Sequence, residues 1–197
     1  MTNETKWSID QAHSEIGFKV KHLMISHVKG SFKIFDASIY TTGKDFETGE
    51  IDLWIDASSI STGDAKRDEH LKSADFFDVG KHKEITFSSS TMGKTDAQGK
   101  RELWGELTMK GITKKIKLSV EFGGMINDPW GKEKAGFTVT GKINRNDWGL
   151  NWNSAIETGG VVVSEEVSIS CEIELMNAGK RPLTMELEPE VREKSSL

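Results

Sequence analysis

The chain carries one cysteine, Cys171, in 197 residues. No internal disulfide can form, so burial and hydrogen bonding must hold the fold, and the composition suits a reducing compartment. Proline is nearly as scarce, with three residues, two of them beyond position 180. Strands therefore meet few interruptions along most of the chain. Excess positive charge is also missing: 26 Lys and Arg face 31 Asp and Glu, for a net charge of −5. That balance offers no footprint for a phosphate backbone, which sets nucleic acid aside, and taken as a whole it disfavours anionic membranes. No apolar run approaches the roughly 20 residues of a membrane-spanning helix. Residues 1–11 lack the apolar centre of a secretory leader, so the expected compartment is the cytoplasm, or the periplasm had a leader been removed.

What the chain does have is alternation. Ile16, Phe18 and Val20 alternate with polar or small residues, and so do Ile51, Leu53, Ile55 and Ala57; Ile85, Phe87 and Ser89; and Leu103, Gly105, Leu107 and Met109. Ile116, Leu118 and Val120, then Phe137, Val139, Gly141 and Ile143, then Ile169, Cys171 and Ile173 follow the same rule. Period two is the signature of strands with one buried face. Phe32 and Ile34 share a parity that Ala37 and Ile39 break, which predicts a bulge near Phe35. Residues 42–49 read as a turn. Lys110-Gly111 is the best hairpin signal, and counting outward pairs Met109 with Ile112, Gly105 with Ile116 and Leu103 with Leu118. The same register sets Lys114 opposite Leu107.

One internal stretch, residues 60–77, is long enough for a helix. Thr62 or Asp64 can cap its start, Asp68 and Lys72 stand one turn apart and can pair, and Phe76 and Phe77 gather at its far end. It reads as a plug on one end of a β structure. Residues 177–197 read as a tail, with Leu183, Met185 and Leu187 able to dock as an edge strand.

Polar outer faces leave no room for a covering helix layer, so the apolar faces must close on one another. They do so either as a barrel or as a sandwich, and short turns between antiparallel strands support both; the expected fold is all-β, of about eight strands, with one short internal helix and a C-terminal tail. Residues 1–176 form the β domain and 177–197 the tail. The inward parity holds small residues (Ala57, Ser89, Gly105, Gly141 and Cys171) among large apolar ones, and no charge but Lys114. Small residues suggest a dry cavity, or side chains that fit a tapering barrel. The candidate lining is Ile16, Phe18, Val20, Phe32, Ile34, Leu53, Ile55, Phe76, Phe77, Ile85, Phe87, Leu103, Gly105, Leu107, Ile116, Leu118, Phe137, Val139, Gly141, Ile169 and Cys171. A cavity so lined takes a long apolar chain, because nothing in it can hydrogen-bond a sugar or nucleotide.

Several spaced motifs carry a resemblance. Asp10-Gln11-Ala12-His13-Ser14 leads to Ile16-Gly17-Phe18 and Gly30-Ser31-Phe32. Arg67 to Leu71 and Ser73 to Asp78 precede Ile85-Thr86-Phe87. Then come Gly105 to Lys114 and Asn144-Arg145-Asn146-Asp147-Trp148-Gly149. Over roughly residues 7 to 175 this ordered set resembles the YceI-like family of lipocalin-like, polyisoprenoid-binding proteins. The resemblance decides for a barrel: it implies an all-β, antiparallel, lipocalin-like β-barrel of about eight strands that holds one isoprenoid, isoprenoid quinone or fatty-acyl chain, and often a homodimer. Many such relatives carry a secretory leader.

The expected function is therefore non-catalytic lipid binding, for carriage, storage or sequestration, with no cofactor and no metal. Arg67, Asp68 and His70 could form a polar gate for a ligand headgroup, but a helix-anchoring ion-pair network, with Arg145 and Asp147 as its partners, explains them better. The gate residues would serve as acid-base or headgroup groups if the protein were instead an enzyme acting on such a lipid. His13, His22 and His27 lack the paired spacing of zinc sites, and capping explains His13 better. No Gly-x-Ser-x-Gly elbow is present, and Cys171 reads as core rather than nucleophile. Trp54 and Trp104 point outward, and a filled-core module could dimerise through them.

Overall fold

A computed structural model describes residues 4–157 and 159–180. The strands are β1 (Glu4–Ile9), β2 (Glu15–His22), β3 (Ser26–Phe32), β4 (Phe35–Thr42), β5 (Asp45–Asp56), β6 (Ile60–Ser61), β7 (Glu84–Met92), β8 (Lys100–Met109), β9 (Ile112–Asn127), β10 (Glu133–Asn144) and β11 (Val163–Lys180), and the helix is α1 (Ala65–Lys72). β1, β4, β5, β7, β8, β9, β10 and β11 pair in that order, and β11 returns to β1, closing an antiparallel barrel of eight strands. Closure removes the free sheet edges that an open sheet would expose. β2 pairs with the first half of β11 and carries β3 beside it, and β3 in turn pairs with β6 at Phe32 and Ile60, so these three strands form a side ribbon.

The hairpin register is the one the sequence implies. Met109 faces Ile112, Gly105 faces Ile116, Leu103 faces Leu118, and Lys114 lies opposite Leu107 with its side chain exposed. Lys110 and Gly111 both take positive φ, 50° and 72°, matching the right-handed twist of the two arms.

Several expectations are corrected. The break in phase near Phe35 is a two-residue corner, Lys33 and Ile34, between β3 and β4, and it turns Ile34 outward, 52 % exposed. Residues 42–49 are mostly strand: the turn is Gly43-Lys44, and Phe46 on β5 is buried. β1 shows no period in the sequence, yet its Trp7 is fully buried and donates from Nε1 to Thr41 Oγ1 at 3.0 Å. The helix is eight residues long and none of them is fully buried. Asp64 caps it, accepting from Arg67 N at 2.9 Å, and Ser73 ends it by donating from its hydroxyl to His70 O at 2.7 Å. Lys72 pairs with Glu69 at 3.0 Å rather than with Asp68, which has turned to Thr62. β11 runs on through Asn177 to Lys180, so the first residues assigned to the tail are strand; Leu183, Met185 and Leu187 lie outside the described residues.

Candidate functional site

Inside the barrel lies a cavity of about 270 Å³. Every strand of the closed barrel contributes to its wall, as alternation requires when one parity of each strand points inward. From β2 and β3 come Ile16, Phe18, Val20 and Phe32; from β5 and β7 come Leu53, Ile55, Ile85 and Phe87. β8 and β9 supply Leu103, Leu107, Ile116 and Leu118, and β10 and β11 supply Phe137, Val139, Ile169 and Cys171. Phe76 and Phe77, with Leu71 of α1, close one end. Phe77 meets Phe32 edge-on at 6.0 Å, and Phe76 lies 5.4 Å from Trp152, so the plug is fixed by ring packing from two sides.

Three of the proposed lining residues do not reach this space. Ile34 points to solvent. Gly105 and Gly141 are inward but already covered: a Cβ on Gly105 would stand 2.3 Å from the Phe87 ring and 2.6 Å from Ser88 O, and one on Gly141 2.5 Å from Leu118 Cδ2. Their missing side chains are filled by neighbours and open no room. Parity names the face of a strand, not what leans over it from the next. Ser89 is also spent, its hydroxyl donating to the Trp104 carbonyl.

The residue that sequence reasoning placed elsewhere is Arg145. Far from joining an ion-pair network with Asp68 and His70, it is buried and forms part of the cavity wall. Its Nε donates to Ser164 O at 2.9 Å, Nη1 to Leu150 O and to Trp152 O at 2.9 Å, and Nη2 to Val163 O at 3.3 Å. Burial pushes the guanidinium pKa down, against the pull of Glu165. Four donations to carbonyls pin the segment after β10 onto the start of β11, and every other wall side chain is apolar or, at Cys171, a thiol. Burial raises that thiol to about 11, so it stays protonated and unreactive at neutral pH.

Arg67, Asp68 and His70 stay outside the cavity wall. Arg67 donates from Nε to Thr62 Oγ1 at 2.7 Å, and Asp68 accepts from Thr62 N at 2.9 Å and Thr62 Oγ1 at 2.6 Å, tying the helix start to the residue that follows β6. His70 pairs with Asp75 at 2.8 Å and stacks edge-on against Trp152 at 4.7 Å. Each of the three has a structural partner, so the network anchors the plug.

A second polar cluster joins the turn between β1 and β2 to β10 and β11. Asp10, His13 and Glu174 bring their ligand atoms within 4.8 Å of one another. Lys134 Nζ already stands between the two carboxylates, 3.0 Å from Asp10 and 2.6 Å from Glu174, where its ammonium supplies the positive charge a metal ion would bring. Burial pushes the Asp10 carboxyl up, but hydrogen bonds and charge from His13 and Lys134 overcome it and hold the pKa at about 2. Asp10 also accepts from Ala12 N at 3.1 Å, so the cluster caps the turn between β1 and β2.

Trp54 and Trp104 are outward, 37 % and 42 % exposed, but they do not adjoin. Trp54 lies level with Thr86, which lies level with Thr108, four residues along β8 from Trp104. Lys115 and Lys117 flank the Trp104 ring instead, 5.5 and 5.8 Å from its centre.

Among known families, the YceI-like domain matches residues 7–175. The chain belongs to the YceI-like family. A relative, the UPF0312 protein SAS2572 of Staphylococcus aureus strain MSSA476, is 40 % identical over 171 residues, 86 % of this chain and 96 % of its own length. The crystal structure of the Campylobacter jejuni YCEI protein is similar at 36 % identity and a TM-score of 0.68, covering 88 % of this YceI-like chain and 96 % of that one. A polyisoprenoid binding domain from Saccharophagus degradans, implicated in plant cell wall breakdown, shares the fold with a TM-score of 0.62 at 18 % identity, over 87 % of this chain and 98 % of that one.

Proposed function

We propose that this protein binds one long apolar lipid chain, a polyisoprenoid, isoprenoid quinone or fatty-acyl group, inside the barrel, and that it carries, stores or sequesters the lipid without altering it. The observation that carries this reading is the cavity wall: apolar throughout except for one guanidinium whose hydrogen bonds go to carbonyls. A volume near 270 Å³ falls just below the roughly 300–1,000 Å³ typical of ligand pockets, which suits a slim chain better than a bulky ring system. At about 0.8 kcal/mol per buried methylene, a dozen carbons supply on the order of 10 kcal/mol before association costs. That a domain of this fold is described as polyisoprenoid binding agrees with the reading. So does the chemistry of the wall, which holds no carboxylate or imidazole to serve as acid or base.

Native mass spectrometry of the purified protein, followed by organic extraction and mass analysis, tests it. One isoprenoid or acyl species per barrel is the expected result. Val139→Phe, which adds a ring to the wall between Val120 and Cys171, should yield a folded barrel without the lipid. A clean apo mass that stays unchanged after incubation with isoprenoid quinones and fatty acids would overturn the reading.

A further inference from the structure

The β2–β3 ribbon stands beside the closed barrel, and its tip is the turn formed by Leu23, Met24 and Ile25. Leu23 and Met24 take φ of 49° and 62°, the left-handed region that asparagine or glycine fills in tight hairpins. All three side chains are exposed, Ile25 by 85 %. Two conformational penalties thus hold three large apolar groups in water, a combination that points to a partner rather than to folding.

Positive charge lines the ribbon behind this tip. Lys19 lies directly across from Lys29, and Lys21 across from His27, all with exposed side chains, and exposed Lys33 follows at the corner below. Like charges set opposite one another in a strand pair repel. No ion pair relieves Lys19, Lys21, Lys29 or Lys33 among the described residues, and no Asp or Glu occurs from Ile16 to Phe35 in a chain whose net charge is −5. The carboxylates at the start of β11 are engaged elsewhere, Glu165 with Asn144 at 3.4 Å and Glu166 with Lys142 at 2.9 Å. The opposite face of the same ribbon carries Phe18 and Val20 into the cavity wall.

We infer that the β2–β3 tip docks on an anionic lipid bilayer, with Leu23, Met24 and Ile25 inserted at the headgroup level and Lys19, Lys21 and Lys29 over the anionic groups. Three apolar residues are too few for the core of a protein interface, but they suffice as a wedge when cations stand behind them. The acidity of the whole chain does not oppose this, because charges beyond roughly 8 Å of the surface are screened at physiological salt. The hairpin turn between β9 and β10 also exposes an apolar residue, Trp130, but it stands between Asp128 and Lys132, of mixed sign, and matches no charged surface. The docking is independent of which lipid occupies the barrel, or whether any does.

Co-sedimentation of the full chain with vesicles of phosphatidylcholine, alone or with a quarter phosphatidylglycerol, reads it directly. Binding should require phosphatidylglycerol and weaken as salt rises. The triple variant Lys19→Gln, Lys21→Gln, Lys29→Gln should bind about a hundredfold more weakly, and Ile25→Ser about tenfold more weakly, both with an unchanged melting temperature. Failure of the parent to sediment, equal sedimentation with neutral vesicles, or parental affinity in the triple variant would overturn the docking and leave the cavity reading untouched.

Discussion

Asp10 shows how one carboxylate ties a chain end into a barrel. Its carboxyl is buried, which alone would favour the neutral form, yet His13 at 2.9 Å and Lys134 at 3.0 Å hold its pKa near 2, below the ordinary 3.8. A group whose pKa is depressed on folding stabilises the native state above its unfolded value and loses that contribution as pH falls through the folded one. The difference corresponds to about 2 kcal/mol, present in full above roughly pH 4 and lost between pH 4 and 2. Asp10→Asn keeps an oxygen for Ala12 N but removes the charge facing Lys134. Urea unfolding should show the variant about 2 kcal/mol less stable at pH 7, with the gap narrowing below pH 4 and closing near pH 2. A gap that is the same at pH 7 and pH 2.5 would mean that packing, not charge, is what the substitution disturbs. Arg145 differs because its partners are carbonyls, which do not titrate, so its role is geometric across the whole accessible pH range.

At the scale of elements, α1 is held by its ends and not by a buried stripe. None of its residues is fully buried, and its position rests on the Asp64 cap, the Thr62 bridge to Arg67 and Asp68, and the rings of Phe76 and Phe77 beyond it. Losing an N-cap costs about 1 kcal/mol. Asp64→Ala should therefore lower global stability slightly while speeding release of bound lipid several-fold, as measured by transfer of a fluorescent fatty acid to acceptor vesicles. An unchanged release rate would mean that the ligand leaves by another route. The elements that could be read in advance are those in which each residue obeys one parity. β8 and β9 announced even their register, because Lys110-Gly111 fits only one kind of turn. β1 escaped because Glu4-Thr5-Lys6-Trp7-Ser8-Ile9 offers two apolar residues, too few to show a period. Phe46 hid among glycine, lysine and threonine that read as a turn. Arg145 lies in a 3₁₀ turn, where alternation says nothing about which side a residue faces, and only the fold brings it against Ser164 and Val163.

The whole molecule depends on a closure between its two ends. β1 lies between β4 and β11, level with Thr41 at Thr5 on one side and with Lys180 at Thr5 on the other. Contacts between positions so far apart form late and slowly, since loop closure must precede any reward from pairing. The seam is therefore where the barrel should first open. Asn177 sits in it opposite Trp7, and its side chain donates to Glu133 at 2.9 Å, joining the seam to β10. Asn177→Pro removes a backbone N–H and strains the strand, at a cost of about 3 kcal/mol, whereas Asn177→Ala removes only the side-chain bond, about 1 kcal/mol. Measured by urea unfolding, the proline variant should be the weaker by roughly 2 kcal/mol. It should also lose the extractable lipid that the alanine variant retains, because an open seam exposes the wall behind Ile9 and Leu175 to water. Equal stability and equal lipid content in the two variants would show that the eight-stranded wall holds its ligand without this seam, and the retaining element would then have to be the plug at the other end.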